Sequence, residues 1–483
     1  KERQIRNGLI YMLPIGLGVL LPLISIPIFT RILSPEDYGV LALAMIYATF
    51  MGSLAILAKQ KGFKVTGSDT NVYPPMSTYL QSQGIKIING YDVGQIPEDV
   101  AEVVVGNCMT RGMPIIEYIL DEGVPFTSGP AWLYENILVD KHVIAVSGTH
   151  GKTSTTSMLI KILQDNGFDP SFLIGGVSQD FKVSSKLTDS EYFVIEADEY
   201  DTAFFDKRSK FVHYHPQTLI INNLEFDHAD IFDSIEDIYR QFNHMIRTLS
   251  SGVDIIYPNG DVHVQKVLEK ECWSNCKPYG AGQAWHCQKQ KADASELLID
   301  SPTGEVRLCW GHIGEHNMQN AMSAIVAASC VGVLLKDAVL SLSTFKGVKR
   351  RLETVGVKDT ITVYDDFAHH PTAIQKTISG LRAKVGAEKV IAIIEPRSNT
   401  MKMRVHQNAI AAALADADEV FIFEPPNIGL SLDKICHEMT VPCRVYQDVD
   451  QIVAEVTNAP IPKTHLLVMS NGEIGRASCR ERV

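Results

Sequence analysis

The chain has 483 residues and a formal net charge of −12, and this length predicts about three domains. The excess of acidic residues argues against a general nucleic-acid partner, because phosphate backbones favour a positive protein face. It does not exclude the binding of a small anion in a local pocket. Nine cysteines form no second pair at metal spacing beside Cys272 and Cys276. This pattern disfavours structural zinc and predicts reduced thiols.

The first 58 residues contain two uncharged, apolar runs, at residues 7–30 and 38–58. Each run is long enough to cross a bilayer, which takes about 20 apolar residues. Residues 28–39 resemble the first helix and loop of polysaccharide flippases. We therefore expect residues 1–48 to be a foreign, apolar, helical and transmembrane-like segment, joined to a ligase either as a chimera or as a genuine fusion.

The patterning of a water-soluble α/β domain starts near residue 49. Residues 51–61 predict a helix, and residues 62–69 predict a β-strand that ends in a polar turn. In a nucleotide-binding α/β domain, a first strand and a glycine-rich turn normally precede such a helix. Here apolar sequence stands in that place, which supports the interpretation of a junction near residue 49.

A phosphate-binding loop follows the apolar strand predicted at residues 141–147. A helical run comes directly after the loop, which reads Gly148, Thr149, His150, Gly151, Lys152, Thr153 and Ser154. Glycines let backbone N–H groups face an anion, and the helix N-terminus adds a favourable dipole. Lys152 is predicted to contact the β- and γ-phosphates of a nucleotide, and Thr153 to place its hydroxyl on Mg²⁺.

Two further predicted strands end in metal-binding side chains. Residues 192–196 end at Glu196, and residues 218–223 lead to His228 within an acidic turn. Open α/β sheets gather ligands at the carboxyl ends of their strands, and Mg²⁺ prefers carboxylate oxygen. Glu196 and His228 are therefore predicted at an active or metal site. The carboxylates after Glu196 are interpreted as solvated turn residues: Asp198, Glu199 and Asp201.

Helix 314–331 begins with two amides on one face, Asn317 and Asn320. Amides offer both a donor and an acceptor, which suits an adenine edge, although an N-cap by Asn317 alone is an alternative. The arginine pair at Arg350 and Arg351 then predicts a phosphate clamp rather than a solvated basic turn.

The last third of the chain repeats the pattern of a strand that ends in polar side chains. The strand at residues 361–366 ends at Asp365 and Asp366 and leads to His369 and His370. One βα unit later, Arg397 follows the strand at residues 390–395. An arginine there can receive a carboxylate in bidentate fashion.

In this order the motifs resemble the Mur ligases. Segments at residues 73–77, 106–111, 204–214, 222–230 and 395–402 are similar to its murein peptide ligase branch. The resemblance covers residues 49–472. It implies an α/β architecture of three domains: a Rossmann-like domain at 49–138, truncated at its start, a P-loop ATP-binding domain at 139–343, and a Rossmann-like lid domain at 344–472. The tail at 473–483 resembles sequencing-adapter read-through.

The resemblance also implies roles for individual residues. Lys152, Glu196 and His228 are assigned to catalysis, and Thr153, Glu196 and His228 to the metal ion. The ATP contacts implied are Gly148, Thr149, His150, Gly151, Lys152, Thr153, Ser154, His316, Asn317, Asn320, Arg351 and Asp366. The substrate contacts implied are Ser68, Asp69, His369, His370, Arg397, Ser398, Asn399 and Thr400.

The implied activity is ATP- and Mg²⁺-dependent amide formation in cytoplasmic peptidoglycan recycling. UDP-N-acetylmuramate would be joined to L-alanyl-γ-D-glutamyl-meso-diaminopimelate through an acyl phosphate, with lysine an alternative third residue. Other interpretations are a UDP-N-acetylmuramate–L-alanine ligase, a folylpolyglutamate-synthetase-like ligase, an inactive chimera with a flippase segment, and a nucleotide-binding regulator. The family's first strand and last helix are not recognisable here, so we expect the fold to persist while turnover is weak.

Overall fold

The computed structural model describes residues 50–70, 76–396, 407–424, 432–457 and 463–470. The predicted transmembrane-like segment at residues 1–48 lies outside them, as do the tail at 473–483 and the substrate candidates Arg397, Ser398, Asn399 and Thr400. Among the helices in the described ranges, none combines the length and the apolar run that a bilayer crossing requires.

The N-terminal part begins with helix α1, residues 50–61, as predicted. The strand predicted from residue 62 starts only at Thr66, because Gly62 adopts φ +105° and ends the helix. The elements that follow are β1 (Thr66–Asp69), α2 (Met76–Ser82), β2 (Lys86–Asn89), β3 (Val103–Val105), α3 (Pro114–Asp121), β4 (Phe126–Ser128) and α4 (Gly129–Leu133).

Two separate parallel pairs, β1–β2 and β3–β4, make up the strands of this part. Within the described ranges no strand joins one pair to the other. The predicted Rossmann-like domain is therefore represented here by two short pairs, each flanked by a helix.

A seven-stranded sheet forms the middle of the fold. Its strand order is β13-β12-β11-β5-β8-β6-β7, and every neighbouring pair except β6–β7 is parallel. The strands of this sheet are β5 (His142–Ser147), β6 (Ser171–Leu173), β7 (Ser185–Lys186), β8 (Tyr192–Glu196), β11 (Thr218–Ile221), β12 (Asp254–Pro258) and β13 (Asn275–Tyr279). The predicted strands at 141–147, 192–196 and 218–223 are thus confirmed and lie side by side.

Helices and two small antiparallel sheets surround these strands. The helices are α5 (Lys152–Asp165), α6 (Ile235–Ile246), α7 (Val262–Glu271), α8 (Glu315–Cys330) and α9 (Leu335–Ser343). One small sheet pairs β9 (Asp201–Ala203) with β10 (Asp206–Ser209), and the other orders β14 (His286–Lys289), β15 (Glu296–Ser301) and β16 (Gly304–Cys309).

Alternate side chains of the central strands enter two different cores. Ile144 and Val146 of β5 pack with helices α5, α8 and α9, whereas Val143 and Ala145 pack with α1, α6 and α7. Burial on both faces explains why these strands are continuous apolar runs rather than alternating ones. The polar residues that follow each strand are thereby left at its carboxyl end, where the candidate site forms.

The C-terminal part is a six-stranded sheet in the order β17-β18-β22-β19-β20-β21. All its neighbouring pairs are parallel except β17–β18. Its elements are β17 (Glu353–Lys358), β18 (Ile361–Asp366), α10 (Pro371–Val385), β19 (Lys389–Glu395), α11 (Gln407–Ala413), β20 (Glu419–Phe423), α12 (Leu432–Glu438), β21 (Cys443–Tyr446), α13 (Val449–Thr457) and β22 (Thr464–Ser470).

The prediction that the cysteines are reduced is wrong at one pair. Cys436 and Cys443 form a disulfide, with their Cα atoms 5.3 Å apart. Helix α12 leads through a short turn into β21, which brings the two residues together. The sequence separation of seven gave no metal or disulfide pattern that could be recognised beforehand.

Two leucines of helix α9 provide a test of the central core. Leu342 is fully buried at 0% exposure, whereas Leu340 is 68% exposed. We expect Leu342→Ala to lower the free energy of unfolding by about 2–5 kcal/mol, because it removes apolar contacts and leaves a cavity. Leu340→Ala should change it by less than about 0.5 kcal/mol.

Urea denaturation followed by tryptophan fluorescence measures this difference, since Trp310 belongs to the same core cluster as Leu342. Equal effects of the two substitutions would contradict the burial assigned to helix α9.

Candidate active site

The phosphate loop connects β5 to helix α5 through two glycines that no other residue can replace without strain. Gly148 adopts φ +120°, and a Cβ there would lie 2.9 Å from the backbone oxygen of Asn223. Gly151 adopts φ +82°, and a Cβ there would overlap the side-chain oxygen of Asn320. Backbone packed this closely excludes side chains at both positions, and a glycine turn before a helix N-terminus is typical of a phosphate-binding loop.

Lys152 is the first residue of helix α5, and its ammonium group is buried against a carboxylate. Its Nζ donates to the carbonyl oxygen of Gly148 at 2.8 Å and to Oε2 of Glu199 at 2.7 Å. Burial lowers the pKa of Lys152, but the negative charges of Glu199 and Asp198 outweigh that effect and raise it overall. Lys152 is therefore a fixed cation at the loop.

Glu199 continues this chain of charges to His228. Nε2 of His228 donates to Oε1 of Glu199 at 2.9 Å, so one carboxylate holds both cations. Burial lowers the pKa of His228, whereas the hydrogen bond to Glu199 and the charges of Glu199 and Asp227 raise it to about 9. Lys152, Glu199 and His228 thus form one polar chain across the ends of β5, β8 and β11.

The interpretation of Glu199 as a solvated turn carboxylate is wrong. Glu199 is only 3% exposed, because it lies between Lys152 and His228. Asp198 is partly exposed and pairs with the buried ammonium group of Lys210, at 3.2 Å. The signal that could have revealed Glu199 was its place, three residues beyond the end of a strand next to the phosphate loop.

Thr153 and Glu196 form a second contact beside the loop. The Thr153 hydroxyl donates to Oε1 of Glu196 at 2.9 Å, and the backbone N–H of Gly175 donates to Oε2 at 2.7 Å. Burial raises the pKa of Glu196, although these two hydrogen bonds and Lys152 oppose it. A hydroxyl and a desolvated carboxylate in contact at a phosphate loop are the oxygen ligands that Mg²⁺ prefers, so the residues fit this ion.

Helix α8 brings its amides to the same loop. The side-chain oxygen of Asn320 lies against Gly151, and the amide of Asn317 donates to the carbonyl oxygen of Ile313 at 2.8 Å. Both asparagines are buried. His316 has a buried Nδ1 without a hydrogen-bond partner among the described residues. Asn320 is therefore the residue of this helix that contacts the loop, whereas the assignment of all three side chains to an adenine stays a prediction.

The C-terminal sheet contributes Arg351 and Asp366. The guanidinium group of Arg351 lies 5.1 Å from the ring centroid of Phe367, and Arg351 lines a cavity together with Asn317. Both carboxylate oxygens of Asp366 accept backbone N–H groups, from Leu352 at 2.6 Å and Ala368 at 2.7 Å. Asp366 therefore shapes the loop that carries Arg351 and Phe367.

His369 and His370 lie where the C-terminal part meets the phosphate loop. His370 caps helix α10, since its Nδ1 accepts the backbone N–H of Thr372 at 3.3 Å. The Thr372 hydroxyl donates to Oε2 of Glu225 at 2.6 Å, and the rings of His370 and His150 are 4.9 Å apart. Sequence reasoning did not single out Glu225 or Thr372, because their contact joins residues 147 positions apart.

The predicted substrate residues of the N-terminal part lie at the end of strand β1. Asp69 accepts a hydrogen bond from the Tyr91 hydroxyl at 3.1 Å, and Ser68 precedes it. The structure thus groups the phosphate-loop residues, the metal candidates and the histidines, whereas the assignment of Ser68 and Asp69 to a substrate stays a prediction.

Family models match the chain in three consecutive segments. The Mur ligase family catalytic domain matches residues 45–139, the Mur ligase middle domain matches residues 146–328, and the Mur ligase glutamate ligase domain matches residues 350–472.

Individual relatives match over nearly their whole length. A UDP-N-acetylmuramate–L-alanyl-gamma-D-glutamyl-meso-2,6-diaminoheptandioate ligase from Haemophilus influenzae is 49% identical, over 89% of this chain and 95% of that protein. A protein of the same name from Escherichia coli is also 49% identical, over 89% and 94%. The crystal structure of a murein peptide ligase from Psychrobacter arcticus is 42% identical with a TM-score of 0.67, over 89% and 95%.

The buried position of His316 predicts how the stability of the fold depends on pH. Burial lowers the pKa of His316 to about 4, with the nearby charges of Lys376 and Arg351 adding to the effect. In the unfolded chain a histidine titrates near pH ~6.5. The buried, neutral imidazole of His316 therefore makes its full contribution to stability above about pH 6.5, and this contribution is lost as the pH falls towards about 4. It amounts to at most about 3 kcal/mol.

We expect His316→Gln to show a smaller loss of stability than the parent chain over this pH range, because glutamine does not titrate. Urea denaturation at several pH values, compared between parent and variant, measures the difference. Identical pH slopes in both proteins would contradict the buried, neutral state of His316.

Proposed function

The chain belongs to the Mur ligase family, and we propose that it joins UDP-N-acetylmuramate to L-alanyl-γ-D-glutamyl-meso-diaminopimelate in peptidoglycan recycling. The observation that carries the proposal is the 49% identity to two ligases named for these substrates, over 95% and 94% of their lengths. Their names also favour diaminopimelate over lysine as the third residue. The enzyme class is an ATP-dependent ligase that forms C–N bonds.

The phosphate loop supports a place for ATP. Gly148 and Gly151 form a turn in which no side chain fits, and Lys152 supplies a cation that Glu199 holds at the loop. We assign the base-binding side to His316, Asn317 and Asn320 on helix α8. Arg351 would reach the phosphates from the C-terminal part.

Mg²⁺ is part of the proposal, with Thr153, Glu196 and His228 as its ligands. When bound, the ion would neutralise negative charge on the phosphates. Thr153 and Glu196 already contact each other at 2.9 Å. Since a metal ligand must be a neutral imidazole, His228 has to release its proton when it binds the ion. Glu199, which accepts the Nε2–H of His228, is placed to take up part of the positive charge.

The reaction takes place in two steps that balance in atoms. A muramate carboxylate oxygen bonds to the γ-phosphorus of ATP, the bond to the β-phosphate bridge breaks, and ADP leaves. The peptide amine then attacks the acyl carbon, phosphate leaves, and the nitrogen loses a proton. Lys152 and Arg351 would hold the anions next to each other, which lowers the barrier mainly through positioning and charge stabilisation.

The remaining assignments complete the proposal. The domains are placed at residues 49–138, 139–343 and 344–472, and His369, His370 and residues 397–400 are assigned to the substrates. A cytoplasmic location follows from the nucleotide substrates and stays a prediction, as does the membrane character of residues 1–48.

The release of ADP from ATP and Mg²⁺ tests the proposal directly. We expect ADP to form only when UDP-N-acetylmuramate and the tripeptide are both present, and mass spectrometry should find the joined product. Omission of either substrate, or chelation of Mg²⁺ with EDTA, should abolish the signal. ADP release that requires neither substrate would overturn the assignment, as would the formation of an adduct with free L-alanine instead of the tripeptide.

Glu199 provides a test of the polar chain. Glu199→Gln keeps the size of the side chain but leaves Lys152 and His228 without the charge between them. Removing one partner of a buried ion pair costs about 3–5 kcal/mol, and we expect kcat/KM to fall at least about 100-fold. Steady-state ADP release, with circular dichroism to verify folding, measures the effect.

Asp201→Asn is the matched control, because Asp201 follows in the same acidic turn but pairs with the exposed ammonium group of Lys207. We expect its kcat/KM to stay within about threefold of the parent value, since exposed ion pairs contribute at most about 1 kcal/mol. Similar losses in both variants would contradict a special role for Glu199.

A further inference from the structure

Three side chains from three parts of the fold meet beside the phosphate loop. His150 belongs to the loop itself, Glu225 follows strand β11, and His370 stands directly before helix α10. One donor atom from each lies within 4.8 Å of the donor atoms of the other two. We call these three residues the His-Glu-His cluster.

Two of the three distances between the donor atoms match those of a metal coordination shell. Nε2 of His150 lies 3.4 Å from Oε2 of Glu225, and Nδ1 of His370 lies 3.5 Å from the same oxygen. Zinc binds nitrogen and oxygen ligands at about 2.0–2.2 Å in a tetrahedron. That geometry places the donors about 3.3–3.6 Å from one another. An ion fits between these atoms once Nδ1 of His370 releases the backbone N–H of Thr372, which it accepts at 3.3 Å.

The surroundings of His150 also point to a ligand. Its Nε2 atom is buried and makes no hydrogen bond of good geometry among the described residues, although it lies 3.4 Å from Oε2 of Glu225. The side chains of His150, Glu225 and His370 are 19%, 28% and 7% exposed, so the cluster is shielded but can be reached from solvent. A buried donor atom without a partner costs free energy, and a metal ion would satisfy it.

The charge state of Glu225 favours a cation. Burial raises the pKa of Glu225, but the contact with His150, the hydroxyl of Thr372 and the charge of His370 lower it to about 2 overall. Glu225 is therefore an anion at neutral pH and offers a carboxylate oxygen between two imidazoles.

We propose that the His-Glu-His cluster is a zinc-type metal site, separate from the site of Thr153, Glu196 and His228. Two imidazoles and one carboxylate are ligands that favour Zn²⁺ over Mg²⁺, which prefers an all-oxygen shell. A solvent molecule would complete the tetrahedron. This inference does not depend on the substrates proposed above.

An ion at this site would tie the C-terminal part to the phosphate loop. His150 moves with the loop, whereas His370 moves with helix α10, and the Thr372 hydroxyl already links that helix to Glu225. Zinc binding would thus stabilise the arrangement in which both parts are in contact. The alternative is a metal-free contact in which a protonated histidine pairs with Glu225.

Zinc titration in competition with a chromophoric chelator distinguishes a zinc site from the metal-free contact. The measurement uses the full chain with Cys272→Ser and Cys276→Ser, because these two sulfur atoms lie 3.8 Å apart and would bind zinc themselves. We expect one zinc ion per chain, an affinity that millimolar Mg²⁺ does not reduce, and a rise in melting temperature when zinc is added.

His370→Gln and Glu225→Gln should each weaken zinc binding at least tenfold and remove the rise in melting temperature. The matched controls are His369→Gln, which alters the neighbouring histidine outside the cluster, and His228→Gln, which alters the other metal site. Both should retain the zinc ion. Circular dichroism verifies that each variant is folded.

Three outcomes would overturn the proposal. These are equal zinc binding by the parent chain and by His370→Gln, loss of zinc only in His228→Gln, and displacement of zinc by Mg²⁺ alone. Tetrahedral coordination by two imidazoles, read from the visible spectrum of a Co²⁺-substituted chain, would support the proposal independently of affinity.

Discussion

The burial of the Lys152 ammonium group is the constraint on which the site depends. Removing an unpaired charge from water costs several kcal/mol, so the fold has to supply a counter-charge at the same depth. Glu199 does so, and it also holds His228. These three residues follow β5, β8 and β11, which are neighbours in the sheet in the order β11-β5-β8. The pairing of charges at the site therefore requires this order of strands in the central sheet.

A second layer of contacts joins the C-terminal part to this centre. Arg351 packs on Phe367 and lines a cavity with Asn317 of helix α8, and its position rests on Asp366, whose two oxygens hold the backbone of residues 352 and 368. Thr372 and Glu225 add a direct hydrogen bond between the two parts. The central and C-terminal parts are thus joined by polar contacts, besides the packing of Ile313 into the C-terminal core.

Much of the fold could be predicted from the sequence, because strands buried on both faces are continuous apolar runs and their polar ends mark the sheet edge. This reasoning found Lys152, Thr153, Glu196 and His228, which the structure brings together. It missed Glu199, since a run of acidic residues does not reveal which member turns inward. It also missed Glu225 with Thr372, because only the contact between the central and C-terminal parts brings them together, and it missed the Cys436–Cys443 disulfide, which the turn between α12 and β21 creates.

The position of the last strand affects how the chain folds as it is made. β22 is the final strand of the described residues, yet it lies between β18 and β19, pairing with both along residues 464–469. Until residue 470 has left the ribosome, the C-terminal sheet lacks a central strand, and β18 and β19 each expose an unpaired edge. The six-stranded sheet therefore closes only after translation has passed its end, while the central sheet, complete at residue 279, can form earlier and hold the phosphate loop ready for its partner.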